Sequence, residues 1–170
     1  MTLLRALALT LLLTAAVVLQ VAAFDAVSYD GVVPNLALLV VVAAALVRGP
    51  DFAAVLGFAS GLAIDLAPPA DHVAGRWALA LVVVGYLAGR VRQDAGSSAM
   101  SAVLVVAASS FVGTSIFALS GMVLGDPALP ATEALRVIPV AVLYDVLLTP
   151  FVLPLAMRLF RRLQPHQVAY

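Results

Sequence analysis

Long apolar runs along the chain are separated by brief polar breaks. Six runs stand out, at 6–24, 31–47, 52–66, 74–89, 99–124 and 134–157. A helix that crosses a hydrocarbon core needs about 20 mostly apolar residues, with about 17 to 25 as the usual range. The pattern predicts six transmembrane helices in one all-α bundle, a single domain over 1–170. Runs two to four are short, so their polar flanks must reach the interface or the bilayer must thin locally. The breaks read FDAVSYDG, RGPD, APPADHV, RVRQDAGSS and GDPALPATE. Pro, Gly, Asp and Ser dominate them, which is turn chemistry. The first run has a competing reading. Arg5, the apolar stretch and Val21-Ala22-Ala23 resemble a cleavable signal peptide. Its apolar stretch of about 19 residues exceeds the roughly 7 to 15 of a signal core, which favours a retained span.

Composition strengthens the membrane reading. The chain is 64% hydrophobic and 11% charged, with a mean hydropathy of +1.14. A soluble domain is about half apolar and about a quarter charged. All nine basic residues are Arg. On six spans, Arg5, Arg48, Arg90, Arg92, Arg158, Arg161 and Arg162 fall on one side, and Arg76 and Arg136 on the other. The positive-inside rule makes the richer side cytoplasmic and places both termini there. The outer loops would carry Asp25, Asp30, Asp71, Asp126 and Glu133. With zero net charge and no basic run, nothing points to nucleic acid. Without cysteine there is no disulfide, thiolate ligand or thiol nucleophile.

Small residues and buried charges mark the candidate sites. Gly57, Gly61 and Asp65 recur every four residues and share one helical stripe. GFASG is a small-xxx-small pattern, which lets a second helix approach closely in lipid. GYLAG, Gly85 to Gly89, repeats it. So does GMVLG, Gly121 to Gly125, with Gly113 earlier in the same run. These glycines predict helix-helix seams, within the chain or with a partner.

Asp65 and Asp145 both fall roughly 20 Å above the cytoplasmic edge if the runs are helical. A charge near the bilayer centre costs at least about 2.5 kcal/mol and normally faces protein or a wet cavity. Two acids at one level predict a shared polar site, which is a structural fastening, a partner or ligand site, or a point of proton or ion coupling. Arg76, Arg136 and Tyr144 are its nearest candidates for further members. Pro139, Pro150 and Pro154 predict a kink in the sixth helix, with Thr149 placed to satisfy a freed carbonyl.

Catalytic patterns are scarce. His72 and His166 fall on opposite sides and cannot share a metal. Asp71-His72 is a weak acid-base pair of adjacent residues. Ser109, Ser110, Thr114 and Ser115 read as packing hydroxyls without a nearby base. No phosphate-binding glycine loop or metalloprotease motif occurs. The expectation is a non-enzymatic protein without cofactor or metal. Arg158, Arg161 and Arg162 make one cationic helical edge, an anchor on anionic lipid or a dock for a cytoplasmic protein.

Three stretches together resemble the MreD family of rod shape-determining membrane proteins, in an actinobacterial version. They are PNLALLVVVAAALVRGPDFAAVLGFASGLAIDLAPP, RWALALVVVGYLAG and LYDVLLTPFVLPL. The resemblance implies a fold like the six-helix S-components of energy-coupling-factor transporters. It implies a scaffold of the peptidoglycan elongation machinery in the bacterial cytoplasmic membrane. The partners implied are the bitopic protein MreC and, through it, MreB, RodA and its transpeptidase partner. Gly57–Gly61–Asp65 and Tyr144–Asp145 to Pro150 are the family-like positions. The rival expectation is an S-component-like binder of a solute or lipid carrier.

Overall fold

The computed structural model describes residues 3–23, 32–68, 72–92, 98–125 and 131–163. Asp25, Asp30, Asp71, Asp126 and His166 lie outside them, as do the side chains of Arg5 and Glu133. Six α-helices are described: α1 (Leu3–Ala23), α2 (Leu36–Arg48), α3 (Pro50–Asp65), α4 (Arg76–Arg90), α5 (Ala99–Leu124) and α6 (Ala131–Arg162). Two are long and apolar enough to cross a membrane: α5, and α6 from Arg136 onward. The fold is all-α.

The helix α2 is the axis of the bundle. Its sequence, LALLVVVAAALVR, is apolar all round, and such a helix belongs in a core. Leu36 through Ala45 are all buried. The other five helices each touch α2, and neighbours pack in the order α1, α3, α4, α5, α6 around it.

Helix boundaries follow local chemistry. α2 starts later than the apolar run because Asn35 caps it, its Oδ1 accepting from Leu38 N–H at 2.9 Å. α3 starts at Pro50, in the first turn where a missing N–H costs nothing. Ser98 and Ser101 form a capping box at the start of α5. α6 runs on past the apolar segment through the basic turn to Arg162. It remains one continuous helix across Pro139, Pro150 and Pro154. Thr149 Oγ1 donates to the Asp145 carbonyl at 2.7 Å. The carbonyl that Pro150 frees belongs to Val146, so Thr149 serves a different one from that expected.

The distribution of polarity is inverted relative to a water-soluble bundle. The inner face of α5 carries Ser109, Ser110, Gly113, Thr114 and Gly121. Its outer face carries Leu104, Phe111, Leu119 and Val123. In α3, Gly57, Ser60, Gly61 and Asp65 are inside, while Val55, Phe58 and Leu62 are outside. Phe151 and Val55 are 74% and 73% exposed, whereas Asp65, Arg76 and Asp145 are at most 2% exposed.

Candidate functional site

The α3–α4 hairpin builds the first half of the site. Its two glycine pairs each face the backbone of the other helix along one seam. A Cβ on Gly57 would overlap the Leu81 carbonyl, and one on Gly61 would overlap the backbone at Trp77 and Ala78. Gly85 stands in the same relation to Ala53, and Gly89 to Pro50. These four glycines therefore serve a seam inside the chain. Gly113 gives room to Leu38 and Val84.

The GMVLG pair does something else. Gly121 makes space for the Arg76 guanidinium, and Gly125 ends α5 at φ +68°, a left-handed conformation suited to glycine. Neither packs helix backbone against helix backbone.

Close approach of α3 and α4 delivers Asp65 to the start of α4. Gly75, at φ +101°, has no side chain to cap that helix. Asp65 caps it from outside. Its Oδ2 accepts from Gly75 N–H at 2.8 Å and Ala78 N–H at 3.1 Å. Its Oδ1 accepts from Trp77 N–H at 3.1 Å and hydrogen-bonds His72 Nε2 at 3.0 Å. A carboxylate at the C-terminus of its own helix is unfavourable, but at the N-terminus of a neighbour it meets about half a positive charge.

Arg76 turns toward α5. Its Nε and Nη2 donate to the Phe117 carbonyl at 3.2 and 2.8 Å. The guanidinium lies 3.9 Å from the Phe117 ring centroid, and Trp77 stacks on Phe117 at 4.5 Å.

Asp145 has its own partners. Oδ1 accepts from Asn35 N–H at 2.8 Å, and Oδ2 accepts from Ser110 Oγ at 2.6 Å. Gln20 Oε1 accepts from Ala37 N–H at 3.3 Å. The buried start of α2 is thus satisfied by side chains from α1, α6 and Asn35 itself. Asn35 Nδ2 is buried and has no hydrogen-bond partner among the described residues.

The two acids bind different donors. On α5, Ser110 serves Asp145, and Phe117, seven residues further on, serves Arg76. The structure joins Asp65 to the turn bearing Arg76, and joins Asp145 to Asn35 and Ser110. Arg136 is exposed on α6. Tyr144 is half-buried beside Asp145 in sequence. Arg158, Arg161 and Arg162 are exposed at the opposite end.

Sequence reasoning missed His72 as a partner of Asp65, having paired it with Asp71. It also missed Asn35, although a polar residue just before an apolar run is an N-cap signal. Among the described residues no group of three or more His, Asp or Glu side chains is placed to hold a metal. No family model, curated protein or solved structure matches the chain.

Proposed function

We propose that the chain is a six-span bundle of the bacterial cytoplasmic membrane, with both termini cytoplasmic. We further propose that it serves as a non-enzymatic scaffold in cell-wall elongation, of the MreD kind. The observation that carries the membrane part is the inverted polarity. Large apolar side chains cover the outside while carboxylates, a guanidinium and hydroxyls are inside. In water this arrangement forfeits about 25 cal/mol for each Å² of apolar surface left exposed; in lipid it forfeits nothing. Helices α2 to α4, at 13 to 16 residues, are short for a span, and local thinning accommodates them.

A scaffold is favoured over a transporter by the state of the two acids. Each one is occupied in capping a helix of this chain, which leaves it a fixed structural group. The role in cell shape, and the partner MreC with MreB, RodA and its transpeptidase beyond it, derive from the sequence resemblance alone. Purification of the full chain in mild detergent tests this. Co-elution of a single-pass partner is the expected result, and recovery in the soluble fraction without detergent overturns the membrane assignment.

One observation favours the second reading, an S-component-like binder of a solute or lipid carrier. The Asn35 amide, buried near Asp145 and unpartnered among the described residues, is a donor that a bound carbonyl or hydroxyl would satisfy. A stoichiometric small molecule in the purified protein, lost in Asn35→Leu, would support it.

A further inference from the structure

The end of the bundle opposite the acids gathers six guanidiniums. Helix α2 ends in Arg48, α4 ends in Arg90 with Arg92 just beyond, and the last turns of α6 carry Arg158, Arg161 and Arg162. Their convergence is built by packing around Phe52. Arg48 covers that ring at 4.1 Å from its centroid. Phe160, within the basic segment of α6, meets the same ring edge-on with centroids 6.2 Å apart. Arg92 Nη1 comes within 3.3 Å of where a Cβ on Gly49 would stand. The turn joining α2 to α3 therefore has basic helix ends on both sides.

Among the described residues none of these six has an ion-pair partner. Asp51, exposed in the first turn of α3, is the one acid at this end among them. Among the described residues six guanidiniums thus share this end with a single carboxylate, an excess of positive charge that an anion would relieve.

The neighbouring surface says which anion. Leu155 lies one turn before Arg158, Leu87 one turn before Arg90, and Val55 one turn after Asp51; all three are exposed. Cations at the rim with bare apolar side chains directly beside them match an amphiphile, with its head on the guanidiniums and its chains along the helices. An acidic soluble protein would satisfy only the rim. We infer that this arginine cluster binds the phosphate of an anionic phospholipid, an assignment that rests on the membrane reading above. Guanidinium and phosphate pair through two parallel N–H···O bonds. Each such residue near a lipid surface contributes about fivefold to binding.

The test uses the full chain purified in a neutral detergent and offered phosphatidylglycerol or phosphatidylcholine in mixed micelles, with retained lipid counted by native mass spectrometry. Phosphatidylglycerol is expected to be retained in preference, and the preference to fall about fivefold for each guanidinium removed in R48Q/R92Q and, separately, in R158Q/R161Q/R162Q. The second variant changes exposed positions alone, so folding is not at stake. Equal retention of the two lipids, or a preference unchanged in both variants, overturns the inference while the chain's need for detergent leaves the membrane reading standing. Displacement of phosphatidylglycerol by equimolar inorganic phosphate assigns the cluster to free phosphate and also overturns it. A chain soluble without detergent overturns both.

Discussion

Asp65 and Asp145 are equally buried carboxylates, each 1% exposed, and each caps the start of a helix other than its own. They differ in what they join. The backbone donors of Asp65 come from residues 10 to 13 positions further along the chain. Asp145 joins Ser110, 35 positions away, and Asn35, 110 positions away. One acid closes a hairpin that the glycine seam already brings together. The other ties the last helix to the central one, where little else in the local sequence dictates the pairing. Buried acids in this bundle act as staples, and the length of chain each one spans decides whether its loss loosens one corner or the whole assembly.

The sharpest way to break this comparison is to prevent the hairpin from closing. Gly61→Leu places a branched side chain into the backbone of α4, and overpacking of this kind costs about 3 kcal/mol or more. The expected result is no monodisperse protein by size-exclusion in detergent. Next is Asp65→Ala. Three amide donors and one imidazole lose their acceptor at about 1 kcal/mol each, so a loss of about 3 to 4 kcal/mol is expected in reversible unfolding. Hydrogen exchange should then speed up at the start of α4 and leave α6 unchanged. Asp145→Ala removes two donors' acceptor and should cost about 2 kcal/mol. Its loosening should instead be spread over α2, α5 and α6. Ser110→Ala is the mildest of the series, about 1 kcal/mol, because Asp145 keeps its bond to Asn35.

A double-mutant cycle sharpens the same contrast. The two acids accept from different groups, so the costs of Asp65→Asn and Asp145→Asn should add within about 0.5 kcal/mol. Strong coupling would mean a common site after all.

Much of the helical layout could be read from the apolar runs, because their length and the turn residues between them act locally. The α5 limits agree with the run at 99–124. The glycine spacings were equally legible, but not which backbone each glycine faces. The pairing of Gly57 and Gly61 with α4 depends on two helices meeting at one register, and each motif taken alone is silent about that. Gly121 shows the ambiguity well, since its spacing mimics a helix seam while its role is to admit the guanidinium of Arg76. His72 was obscured by its neighbour Asp71. The turn that carries it back to Asp65 is a tertiary event.

The Arg76 guanidinium seated over Gly121 has one more consequence. A methyl group there would collide with Arg76, so the two positions are free to vary only together. In any set of sequences sharing this architecture, a bulkier residue at the α5 position should be accompanied by a shorter side chain where Arg76 now lies. The carbonyl of Phe117 would then look to Ser120, whose hydroxyl already reaches it at 2.9 Å. A correlated exchange of this sort is a fingerprint that ancestry can be searched for, independent of any assay.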